Sequence, residues 1–207
     1  MKKSIAKLAI VTTIVIMSSS ASKGEDLQLS AKGENRIFIE AGVGGAFHNK
    51  HYYDIAQYGI QGTLGMFLDI NPSGAWRVAC IVGSYAGDKK NVATVNGVGT
   101  VDIDESSTVM ILANFGREFY TGNASFRLGV VGGYATLTGT ASGSVWDYKI
   151  IEGDFEEKSF TYGGMAGLSY GFGESFYLTG EYKIQGFLGD MKKNQVHSFV
   201  VGLGFAF

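Results

Sequence analysis

Hydrophobic and polar residues alternate along this chain with a period of two, in segments separated by short clusters of turn formers. The clearest segment sets Tyr58, Ile60, Leu64, Met66, Leu68 and Ile70 on one parity, and Gln61, Thr63, Gly65 and Asp69 on the other. Another sets Phe160, Tyr162, Ala166, Leu168, Tyr170 and Phe172 against Thr161, Gly163, Gly167, Ser169 and Gly171. The next sets Phe176, Leu178, Tyr182 and Ile184 against Thr179, Glu181, Lys183 and Gln185. The last segment places Phe199, Val201, Leu203, Phe205 and Phe207 opposite Ser198, Val200, Gly202, Gly204 and Ala206. Weaker alternation covers 36–47, 76–86, 107–119 and 126–138. Such alternation is the mark of strands with two unlike faces. The pattern predicts eight strands.

Two opposite tubes fit such strands. A soluble barrel keeps its apolar face inside and needs a charged exterior. A membrane barrel turns that face to lipid and fills its lumen with polar and small groups. Here the polar parity is mostly Gly, Ser and Thr with an occasional charge, a poor coat against water. Trp76, Tyr58, Phe119, Phe126, Phe172 and Phe176 fall near strand ends, where amphipathic rings match the headgroup level. The pattern therefore predicts an all-β, eight-stranded antiparallel up-and-down transmembrane barrel, closed because lipid cannot satisfy an open strand edge.

The connections support this. Those near 71–75, 120–125 and 173–175 are short, with Asn71-Pro72-Ser73-Gly74 and Thr121-Gly122-Asn123 as turn formers. Those near 48–57, 87–106, 139–159 and 188–195 are longer and more polar. Alternation of short periplasmic turns with long external loops is the outer-membrane pattern. Both ends of the barrel are then expected on the periplasmic side.

The N-terminus indicates export. Lys2, Lys3 and Lys7 precede an apolar run from Leu8 to Met17, and Ser19-Ser20-Ala21-Ser22 supply small residues for cleavage after Ala21 or Ser22. The chain thus divides into a signal peptide at 1–22, a flexible polar segment at 23–35, and a barrel domain at 36–207. One cysteine, Cys80, excludes an internal disulfide. Cleavage removes three lysines, so 17 Lys+Arg become 14 against 19 Asp+Glu, a formal charge of −5. That balance argues against nucleic acid as a partner.

With its signal peptide, eight amphipathic strands, four long loops and terminal Val201-Gly202-Leu203-Gly204-Phe205-Ala206-Phe207, the chain resembles the small outer-membrane barrels of the OmpA, OmpX and opacity-protein type. The resemblance implies a bacterial outer-membrane location and a setting of lipid and lipopolysaccharide. It also implies insertion by the outer-membrane assembly machinery, which reads Phe207, with Phe205 in support. The peptidoglycan-binding domain that OmpA appends is not expected, and a monomer is.

Function rests on the lumen and the loops. The register sends Glu40, Asp69, Arg77, Glu118, Arg127, Glu181 and Lys183 inward, and these four acids and three bases should pair in a narrow tube. An eight-stranded barrel is filled by its own side chains, so a closed plug is expected rather than a small-conductance, porin-like pore. A lipid A-modifying enzyme needs a base, a nucleophile and an orienting acid together. His48 and His51 fall in the first loop, where they read as solvated, and His197 has Ser198 beside it on the opposite strand face. No enzymatic role, metal or cofactor is expected. The third loop carries Trp146, Tyr148 and Phe155 among acids. They either pair across hairpins extending beyond the membrane, or anchor a host surface protein or glycan as an adhesive or antigenic surface. A structural role in the envelope is the other expectation.

Overall fold

The computed structural model describes residues 35–50, 53–87, 90–95, 99–145, 148–172, 175–188 and 194–207. The signal peptide and the segment up to residue 34 lie outside the described residues.

Among the described residues, nine strands form one antiparallel sheet: β1 (Arg36–Lys50), β2 (Tyr53–Asn71), β3 (Gly74–Gly87), β4 (Lys90–Val95), β5 (Gly99–Thr121), β6 (Ala124–Val145), β7 (Tyr148–Gly171), β8 (Phe176–Phe187) and β9 (Gln195–Ala206). Eight of them close a ring. Each pairs with its neighbour in sequence, β3 pairs directly with β5, and β9 returns to β1. The extra strand, β4, lies within the expected second loop and pairs only with the upper end of β5.

Register fixes the shape of the tube. Partners followed from Phe38 through Gly65, Ala79, Asn114, Val131, Gly163, Gln185 and Val196 return to β1 at His48, ten residues (48 − 38) above the start. With strands ~4.8 Å apart and ~3.3 Å per residue, that stagger gives a tilt of about 41° and a backbone radius of about 8 Å. The interior then has room for side chains and little else.

Side-chain alternation follows the predicted faces. Ile37, Val43, Leu64, Val82, Ile111, Val130, Leu168 and Leu203 are exposed on the outside. An aromatic rim of Trp76, Phe119, Phe126, Phe176 and Phe207 lies at the end with the short turns, and Phe47, Tyr58, Tyr134, Phe160 and Phe199 ring the other. From Phe126 to Tyr134 the tilted β6 rises about 20 Å, close to the ~25 Å apolar band of such barrels. The short turns form as expected: Gly122 adopts φ 56°, and Asn71 Oδ1 accepts the Ser73 N–H at 3.1 Å.

One stretch departs from the predicted faces. The register of β2 against β3 shifts between Leu68 and Asn71, and Asp69 takes a left-handed φ of 52°. This bulge reverses the alternation, so Asp69 is exposed and Ile70 is buried inside at the lower mouth. Asp69 is therefore not a lumen residue. A strict period of two cannot register an inserted residue.

The two longest connections are also not loops. β5, β6 and β7 run unbroken far above the aromatic rim, pairing out to Gly99↔Val145 and Val145↔Tyr148. The strands thus extend as paired hairpins.

Candidate functional site: the lumen plug and the projecting sheet

The lumen is layered. Beside the short turns, Phe38, Phe67, Ile70, Ala75 and Tyr177 form an apolar belt. Next comes the charged layer, and above it a second belt contains Ile81, Tyr85, Met110, Leu112, Leu137, Met165 and Phe187. The expectation of a lumen holding only polar and small groups is corrected here. These bulky residues occupy the inward parity, where single apolar residues among many glycines gave no distinct signal.

In the charged layer Glu40 binds both arginines, Oε2 to Arg77 Nη2 at 2.5 Å and Oε1 to Arg127 Nη1 at 3.0 Å. Glu181 takes the other side, with Oε1 3.1 Å from Arg127 Nη2 and 3.7 Å from Arg77 Nη1. Lys183 Nζ sits 3.1 Å from Glu181 Oε2 and donates to Gln61 Oε1 at 2.6 Å. Gln61 and Thr179, which the sequence places on the polar parity, complete the network with Asn114 and Tyr177, which it did not mark. Tyr177 donates to Glu40 Oε1 at 3.1 Å, Arg77 donates to Asn114 Oδ1 at 3.2 Å, and Arg127 donates to Thr179. All five charged groups are buried, a state that needs this degree of pairing.

Glu118 faces inward as expected but stands apart. It accepts a hydrogen bond from Ser125 and makes no direct ion pair among the described residues. It lines a cavity of about 20 Å³ at the lower mouth with Tyr120, Ser125 and Ser169. Glu118 Oε2 and the Tyr120 hydroxyl lack protein partners there, and the space suits about one bridging water.

The histidines take two positions. His48 is not a solvated loop residue: it is buried above the upper belt, with Nε2 3.1 Å from Gln57 Oε1 and 3.1 Å from Thr108 Oγ1. The first hairpin is tighter than expected, pairing out to Lys50↔Tyr53, so β1 carries His48 inward. His197 faces outward, with Nδ1 2.6 Å from the Tyr182 hydroxyl, while Ser198 is fully buried on the other face. His51 lies outside the described residues.

Phe205 and Phe207 both face outward. Their rings stack at 5.8 Å, and Phe205 meets Phe176 at 4.8 Å. The Phe207 backbone exchanges two hydrogen bonds with Ile37 across the closing seam, 2.9 and 3.0 Å long.

Among the described residues, the wall continues far above the rim on one side only. There β4, β5, β6 and β7 form a projecting four-stranded sheet, while β7 stops pairing with β8 at Thr161↔Phe187. The outward face changes at this height: Tyr134 and Phe160 give way to Thr136 opposite Lys158, Thr138 opposite Glu156, and Thr140 opposite Asp154. Segments 87–106 and 139–159 hold nine acids against four lysines. Phe155 is half-buried, turned toward the inside and packed on the upper belt across Gly139. Trp146 and the Tyr148 side chain lie outside the described residues.

This ring, greasy outside and plugged within, is an integral outer-membrane barrel. The chain belongs to the outer membrane protein beta-barrel domain family, whose model matches residues 10–207, and its place is the bacterial outer membrane. Among solved structures it is similar to a major outer membrane protein of Thermus thermophilus (TM-score 0.58, 10% identity, covering 84% of this chain and 100% of that one). It is also similar to Neisserial surface protein A (0.55, 17%, 83% and 97%). A third is Ail, the attachment invasion locus protein of Yersinia pestis (0.53, 15%, 84% and 99%). At these identities the likeness is one of fold. A comparison with curated protein sequences finds no match.

Proposed function

We propose that this barrel is a non-catalytic surface protein whose projecting sheet is its interaction surface. The observation that carries this reading is the four-stranded continuation above the rim, built on a plugged, rigid base. Recognition on rigid scaffolds concentrates in such projecting segments. Ail, which has the same fold, is an attachment protein and has been seen in complex with a heparin analogue, sucrose octasulfate. Here the nine acids of the projecting segments disfavour a polyanion, so the partner proposed is a host surface protein rather than a sulfated glycan. A non-catalytic role is supported by His48 lying in the plug and by His197 and Ser198 pointing to opposite faces.

The test follows the register. Gly139 pairs with Phe155, and Thr138 with Glu156. Replacing 139–155 by a two-residue turn therefore shortens the hairpin without shifting the barrel. Cells carrying the shortened protein, with the barrel folded by heat-dependent gel mobility, are expected to lose attachment to host surfaces. Undiminished attachment would refute the reading.

A further inference from the structure

Among the described residues, no strand pairs with the upper part of β7 on the side away from β6. Phe160 gives its carbonyl to the Leu188 N–H at 2.9 Å, the last backbone bond from β7 on that side among the described residues. In an antiparallel strand, alternate residues direct both their N–H and their C=O to the same edge. Residues 158, 156 and 154, all within the regular part of β7, therefore point these groups the same way as Phe160, and no strand pairs with that edge among the described residues. A row of this kind is a template for another extended chain.

Side chains determine which chain fits. Glu152, Asp154 and Glu156 stand on the outward face at alternate positions, and all three are exposed. Glu156 meets Lys158 at 2.8 Å, and Asp154 accepts a hydrogen bond from Thr140. The β6 residues opposite them, Thr138, Thr140 and Ser142, bring no positive charge. On the other face Phe155 presents a half-buried ring between the two acidic positions Asp154 and Glu156.

Resting on the surface-interaction reading above, we propose that the β7 edge at 154–158 captures an extended segment of a partner protein by strand addition. That segment carries basic residues at alternate positions facing Asp154 and Glu156, with an apolar residue between them against Phe155. Main-chain hydrogen bonds supply affinity and the alternating side chains supply selection.

The probe is a blocked eight-residue peptide alternating lysine with valine, added to the full barrel refolded in zwitterionic detergent. Binding is read by fluorescence anisotropy, and amide hydrogen exchange is followed across 148–160. The expected result is saturable binding with slowed exchange at 154, 156 and 158. Binding should weaken about fivefold in the D154N/E156Q double variant, as opposite-charge cross-strand pairs are lost. A peptide of the same sequence, N-methylated on the edge-facing amides, should not bind. Equal binding of the N-methylated peptide, or no binding of the parent, overturns the proposal. Loss of cell attachment in the 139–155 deletion alongside a silent peptide would sink strand addition alone. Peptide binding alongside undiminished attachment would keep the edge site and sink the adhesive reading.

Discussion

Arg127 on β6 faces Gly167 on β7, and a Cβ on that glycine would collide with Arg127 Nε. The absent side chain is what lets the guanidinium reach Glu40 and Glu181 together. Gly167→Ala is therefore expected to push Arg127 off one carboxylate and cost about 1.5–3 kcal/mol, the worth of a charged hydrogen bond. Gly180→Ala is the control, since a Cβ there meets nothing within 4 Å. Urea unfolding of the refolded proteins should separate the two.

The charged layer predicts a steep contrast between two inward acids. Glu181→Gln leaves Arg77, Arg127 and Lys183 with Glu40 as their one remaining carboxylate in the layer, so about 3–5 kcal/mol should be lost. Glu118→Gln keeps an acceptor for Ser125 and breaks no direct ion pair, so its cost should stay within about 1 kcal/mol. Equal destabilisation by the two variants would contradict the layering.

Asp69 offers a backbone test. At φ 52° a β-branched residue is strained, so Asp69→Val should destabilise by about 1–2 kcal/mol while Asp69→Gly should not. Were Asp69 a lumen partner in the ion network, Asp69→Gly would be as costly as Glu181→Gln; unfolding midpoints decide.

Two apolar belts enclose a paired charge layer in the lumen. Planar-bilayer recordings of the purified protein are expected to show no stable large single-channel steps. Such steps would mean that the plug opens in a membrane.

Phe207→Ala should lower the amount of folded protein in the outer membrane of cells, through weaker delivery to the assembly machinery. The refolded variant should keep its gel shift, because the two backbone bonds to Ile37 remain. Equal loss of folding with purified components would show that the ring matters to stability rather than to delivery.

Strand faces, the short turns and six of the seven inward charges were legible because hydrocarbon outside and a confined lumen inside impose a strict period of two. Asp69 escaped because a bulge is a local backbone event, written in no parity. The belts escaped because Met110, Leu112 and Met165 fill gaps opposite glycine-rich strands, a volume relation between chain-distant residues. His48 was misplaced because the sequence does not mark how tight the first hairpin is. The projecting sheet was hidden for a related reason: above the rim both faces meet water, and alternation fades although the strands continue.

The seam between β1 and β9 joins residues as far apart as Arg36 and Ala206. No nascent portion of this polypeptide can bury its own edges before that junction forms. Closure of the ring is thus a contact across almost the whole barrel sequence, the kind whose loop-closure entropy is largest and whose formation is slowest.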